Sequence, residues 1–143
     1  MATEFLVLLV SALFILALAA SLIPWRAGVA RVLLACGATA GVILCCIALP
    51  SRPLSFSLPF GPDMGGTHFW LDANASWLLG FGFAAAVLVF VAGPSTVSPR
   101  GWCFGAAMSL LGAYGVAGLQ DGMSFLVAYE VMSLGGAVMI MAD

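Results

Sequence analysis

The sequence predicts an all-α integral membrane protein of five transmembrane helices, with a short β-hairpin on the membrane surface between helices 2 and 3. Three observations carry that prediction. Hydrophobic residues make up 64% of the 143-residue chain and charged residues only 7%, where a globular domain has about 25% charged residues. Five apolar stretches each approach the ~20 residues that a bilayer requires. One connection alone has the composition of strands and turns.

The first helix is expected over about 4–23. Its apolar run from Phe5 to Ile23 is too long for the core of a signal peptide, and Glu4 stands where a positive leader would begin, so it reads as a retained membrane helix. The second is expected over about 29–49, after Pro24-Trp25-Arg26, and carries Gly37 and Gly41 at four-residue spacing. Small residues at that spacing let helix backbones approach closely in lipid.

The segment from Pro50 to Asp72 contains four of the seven prolines and the only histidine, His68. Leu54-Ser-Phe-Ser-Leu58 alternates apolar and polar residues, as Thr67-His-Phe-Trp-Leu-Asp72 does more loosely. Gly61-Pro-Asp-Met-Gly-Gly66 between them is turn chemistry, so a surface hairpin is expected. His68 has no second His or Cys nearby, and a water-facing role suits it better than metal binding.

The third helix is expected over about 74–92, the fourth over about 101–119 and the fifth over about 122–142, together with the others in one membrane domain spanning 1–143. Helix 4 aligns Gly101, Gly105, Ser109, Ala113 and Ala117 in one small-residue stripe. Such a stripe serves internal bundle packing or contact with another subunit. Gln120-Asp121 leaves so short a break that helices 4 and 5 should form an antiparallel hairpin.

The arginines orient the chain. Arg26 and Arg31 flank the first turn and Arg100 lies by the third, so that side is expected to be cytoplasmic. The N-terminus, the hairpin and Asp121 then lie outside, and Asp143 inside; Arg52 is the exception. The four cysteines, Cys36, Cys45, Cys46 and Cys103, form no C-x-x-C pair and read as small packing residues. No cofactor and no metal site are expected in the chain, and a net charge of −2 disfavours a nucleic-acid partner.

Glu130 is the residue that points to chemistry. It interrupts an otherwise apolar or small-residue run from Gly122 to Ala142, roughly 13 Å into the helix and close to the middle of a ~30 Å hydrocarbon layer. A charge at that depth costs at least ~2.5–3.5 kcal/mol on the insertion scale for Asp, Lys and Arg, so an acid there is a functional candidate by default. An apolar surround favours the neutral carboxyl and a basic neighbour favours the carboxylate. A group between those influences can load and release a proton. Ser133, one turn on, shares its face and can hydrogen-bond the carboxyl or hold a water, and Gly135, Gly136 and Ala137 leave room for a helix or for water. The chain contains no lysine and none of its arginines lies near mid-membrane, so Glu130 is expected to have no cationic partner within it. No spanning segment has the internal proline of a discontinuous transport helix.

Two stretches resemble a known family. Leu71-Asp72-Ala-Asn-Ala-Ser-Trp-Leu-Leu79 is similar to the "LDxLSAFF" start of helix 3 in the antiporter-like membrane subunits of respiratory complex I, Mrp antiporters and group 4 hydrogenases. Asp121 followed by Phe125-Leu-Val-Ala-Tyr-Glu-Val-Met-Ser-Leu134 resembles their helix 5 motif, "D…FLLxWExMSL", with Tyr129 where Trp is common. The Met-Ser-Leu ending looks most like hydrogenase-4 component B and formate hydrogenlyase subunit 3. The resemblance implies that Glu130 matches a glutamate that pairs with a lysine on a later, broken helix, and that this chain corresponds to the N-terminal portion of a longer subunit. It further implies proton transport (sodium being the alternative ion) in a bacterial inner membrane, with other membrane subunits of a respiratory or hydrogenase complex as partners. The redox chemistry would then reside in those partners. The rival expectation is a structural scaffold subunit without its own ion pathway, assembled through the helix 4 stripe.

Overall fold

The computed structural model describes residues 2–23, 27–50, 53–58, 67–92 and 100–142. Arg26, Arg52, the segment 61–66 where a turn is expected, and Asp143 lie outside the described residues. Within them run α1 (Ala2–Ser21), α2 (Ala27–Ala48), β1 (Leu54–Leu58), β2 (Thr67–Leu71), α3 (Ala73–Ala92), α4 (Arg100–Gly118) and α5 (Gly122–Met141). Each helix falls within about two residues of its sequence expectation, the spread usual for helix ends.

Four of these helices, α1, α2, α3 and α5, are long and apolar enough to cross a membrane. The fifth expected span, α4, falls short of that measure. It is the least apolar of the five, with five glycines and an arginine at its start. The four expose large apolar side chains: Leu78 is 75% exposed and Ile140 81% exposed. Large apolar side chains facing outward suit lipid as the surrounding solvent, and the fold is compatible with a multi-pass membrane protein.

The core explains the order of packing. On α1, Val7, Val10, Phe14, Ala17 and Ser21 recur at three- and four-residue steps and are all buried. α1 packs chiefly on α2, which lies between α1 and α3, and also on α4. Gly37 and Gly41 serve two different neighbours: a Cβ on Gly37 would sit 2.9 Å from Phe14 and one on Gly41 2.5 Å from Phe83. The space they leave lets Phe14 and Phe83 stack, with ring centroids 5.8 Å apart.

The hairpin is antiparallel, pairing Leu54 with Leu71 through Leu58 with Thr67. Along β2, Thr67, Phe69 and Leu71 point inward while His68 and Trp70 face out. The hairpin is stitched to the turn after α4. Phe69 bridges Leu119, and the Gln120 N–H donates to the His68 carbonyl at 3.0 Å. Phe69 also packs on Tyr114, centroids 5.3 Å apart, over Gly118, where a Cβ would collide with its ring.

The α4 stripe is consumed within the chain. Gly101 meets Ala142, Gly105 meets the Gly135 carbonyl and Met139, and the Ser109 hydroxyl donates to the Met132 carbonyl at 3.3 Å. The contact continues through Gly112 and Gly115, which the stripe does not include. A four-residue step advances about 40° beyond a full turn, so a strict stripe winds away from a straight neighbour.

At Gly105 and Gly112 the nearest atoms include backbone of α5, which cannot relax by rotating a side chain. Gly112→Ala should therefore lower stability by about 1–3 kcal/mol, the usual cost of overpacking. Gly136→Ala, which meets open space, should be neutral or gain up to ~1 kcal/mol of helix propensity. Denaturant titration of both variants in detergent checks the contrast, and equal stabilities would overturn it.

Candidate functional site

The geometry around Glu130 follows from how α5 is held. Among the described elements α5 packs almost wholly on α4, and its buried residues are Ser124, Ala128 and Gly135. Glu130 lies two residues from Ala128, about 200° around the helix. It therefore points away from α4 and is exposed. Ser133 is exposed on the same side, with Leu126 and Leu134 both more than half exposed beside them.

The structure thus brings Glu130 and Ser133 onto one open face, as the three-residue spacing required. No ion pair involves Glu130 among the described residues. Gly135 does not serve that face, because a Cβ there would run into Ser109 and the Gly105 carbonyl of α4. Gly136 has open space around it and is the position that leaves room for an approaching neighbour.

The ends of the helices are held by groups whose roles the sequence showed only in part. Asp121 adopts an extended backbone and caps α5, its Oδ1 accepting from the Ser124 N–H at 2.8 Å. Asp72 does the same for α3, accepting from the Ala75 N–H at 2.8 Å. Both aspartates had a legible signal, a polar residue directly before an apolar run. At the opposite end, Arg31 Nε donates to the Phe90 carbonyl at 2.7 Å, and Arg100 Nε to the Ser21 carbonyl at 2.9 Å, with Nη2 on the Leu22 carbonyl. Each guanidinium covers carbonyls at a helix C-terminus, where the macrodipole is negative. No sequence signal names those partners, which lie 59 and 79 residues away.

His68 is exposed, and its Nδ1 shares a hydrogen bond with the Ser57 hydroxyl at 2.8 Å. Cys45 and Cys103 are buried, Cys36 and Cys46 exposed, and all four are free thiols. No cluster of three metal-ligating side chains occurs among the described residues.

A cleft of about 460 Å³, not anticipated from the sequence, lies between α1 and α5 over α4. Val7, Leu8 and Ser11 form one wall, Val127 and Val131 the other, and Thr67 and Phe69 of β2 close one end. Glu130 and Ser133 are not among its lining residues.

Comparison with known proteins adds no constraint, since no family model, curated protein or solved structure matches the chain.

Asp121 lies in the turn before α5. Hydrogen bonding from the Ser124 hydroxyl, reinforced by backbone N–H groups and by nearby His68, holds its carboxyl below the ordinary value of 3.8, while desolvation opposes them. A depressed folded value means that the carboxylate contributes stability above the ordinary aspartate range and loses it as pH falls through the folded value. Wild-type Tm should accordingly drop at the acid end. Asp121→Asn, which keeps a capping oxygen but cannot titrate, should remove that part of the pH dependence. Parallel acid limbs in the two proteins would contradict it.

Proposed function

We propose that this chain takes part in proton translocation as part of an antiporter-like membrane subunit, with Glu130 as the proton-coupling carboxylate. The observation that carries the reading is the direction of Glu130. The acid lies near the middle of an apolar 20-residue helix and on the side turned away from α4, the only helix that covers α5 extensively among the described residues. A carboxylate facing lipid at that depth is costly, so its face calls for a covering group that is polar or basic.

The chemistry follows from that arrangement. With its face closed by apolar groups, the carboxyl is favoured in the neutral form and can donate to Ser133 or to a water held beside it. When a basic side chain on a neighbouring helix approaches, the carboxylate becomes the favoured form and the proton leaves. Alternation between these two states moves a proton only if each opens to a different side of the membrane. Gly136, with no neighbour within 4 Å, leaves room for a neighbour about 9 Å along the helix from Glu130 and about 4.5 Å from Ser133.

In this reading the basic partner belongs to later helices of a longer subunit or to an adjoining one, in a hydrogenase or NADH-quinone oxidoreductase type complex of a bacterial inner membrane. The N-terminus lies outside and the C-terminus in the cytoplasm. The motifs around Asp72 and Glu130 support the family assignment. The two described arginines, Arg31 and Arg100, holding the ends of α3 and α1 at one end of the bundle support the orientation.

Glu130→Gln is the decisive variant, because it keeps shape and hydrogen bonding while removing the titrating group. In the complete complex, proton uptake into sealed vesicles should fall to the passive leak while subunit composition stays that of wild type. Undiminished uptake would refute the proposal. Ser133→Ala should slow uptake without abolishing it.

A further inference from the structure

Tryptophan joins a large apolar ring to an N–H donor that lipid tails cannot satisfy, and two of this chain's tryptophans stand at matching places. Trp77 is the fifth residue of α3 and Trp102 the third of α4. The two helices start at opposite ends of the bundle. Asp72 caps α3 on the hairpin side, and Arg100 opens α4 beside the C-terminus of α1. In an α-helix the Cα–Cβ bond tilts toward the N-terminus, and long side chains lean back over the preceding turn. Each indole is therefore carried away from the middle of the bundle, Trp77 toward the hairpin end and Trp102 toward the arginine end.

Their surroundings agree with such a place. Trp77 is 56% exposed and stacks on Phe81, one turn deeper and also exposed, with ring centroids 5.6 Å apart. Trp102 is half-buried, its ring edge-on to Phe90 with centroids 5.6 Å apart. Neither indole N–H has a hydrogen-bond partner among the described residues.

Distances along α3 give the depth of both rings. Phe90, the neighbour of Trp102, follows Trp77 by thirteen residues, about 20 Å of helix rise. Asp72 and the Phe90 carbonyl that Arg31 covers are about 27 Å apart by the same rise, close to the ~30 Å thickness of a hydrocarbon layer. The indoles thus stand at, or just inside, the levels marked by the polar groups at the two ends. Deep in the hydrocarbon their N–H groups would go unsatisfied, and in water their rings would give up burial. The boundary between acyl chains and head groups satisfies both parts of the side chain.

We propose that Trp77 and Trp102 anchor this chain in the bilayer, one at each face, with their rings among the upper acyl chains and their N–H groups donating to phospholipid ester or phosphate oxygens. Because backbone contacts at Gly105 and Gly112 hold α5 to α4, the anchor on α4 also fixes the depth of Glu130. The inference rests on the membrane reading of the chain but not on proton transfer at Glu130.

Fluorescence quenching in reconstituted vesicles tests it. Replacing the other three tryptophans by Phe leaves one chain with Trp77 alone and one with Trp102 alone. Each is placed in phosphatidylcholine whose acyl chains carry bromine near the ester end or near the methyl end. Both indoles should lose at least about twofold more emission to the ester-end bromine, since the two labels differ in depth by up to ~15 Å. Equal quenching by both labels, or stronger quenching from the methyl end, would overturn the anchors. Circular dichroism checks that the helices are intact. If a triple replacement does not fold, Trp77→Phe and Trp102→Phe made singly in wild type decide the question. Each should lower the ester-end share of the quenching, and an unchanged share would overturn the proposal. Quenching by neither lipid, with full quenching by acrylamide in the water, would overturn the membrane reading and the anchors with it.

Discussion

The rest of the structure depends on the close approach of α4 and α5. Gly105, Gly112 and Gly135 remove side chains where the two helices meet, so backbone atoms of one helix face backbone atoms of the other. In lipid there is no hydrophobic gain from bringing apolar helices together, and such packing supplies the attraction instead. It also sets the rotation of α5. Once Ala128 and Gly135 face α4, Glu130 must face away, because a helix turns about 200° in two residues. The same approach leaves the cleft beside α1, since α1 and α5 both rest on α4 and scarcely meet each other.

Polar groups at the two ends follow a division of labour. At the hairpin end, acids cap helix N-termini: Asp72 serves α3 and Asp121 serves α5. At the other end, arginines cover C-terminal carbonyls of α3 and α1. Both arrangements oppose the helix dipole with the correct sign and satisfy groups that an apolar surround cannot. The arginines that suggest orientation are thus also structural clasps. The positive-inside reading and the capping reading draw on the same side chains without conflict, since a guanidinium has five N–H donors in all.

The hairpin has more than a connecting role. Phe69 reaches over Gly118 to Tyr114, and the main chain of β2 joins the turn between α4 and α5. It therefore ties the α4–α5 pair to the connection between α2 and α3. Direct contacts of α4 with α2 and α3 are sparse beside those it makes with α5, which gives this tie structural weight.

Much of this was legible in the chain itself, and for a physical reason. Apolar run length against bilayer thickness determined the number and bounds of the helices, and period-two alternation with glycine and proline between determined the hairpin. Both are local properties, written in consecutive residues. A lone acid in an apolar run marked Glu130 in the same way, and the three-residue step placed Ser133 on its face. What only the tertiary structure decided are relations between residues far apart in sequence. Which neighbour Gly37 or Gly41 accommodates, that Gly112 and Gly115 carry the α4–α5 contact onward, which carbonyls Arg31 and Arg100 cover, and the cleft between α1 and α5 all depend on helix rotation. That rotation is set by the sum of many small packing contacts, and no short stretch of sequence contains that sum.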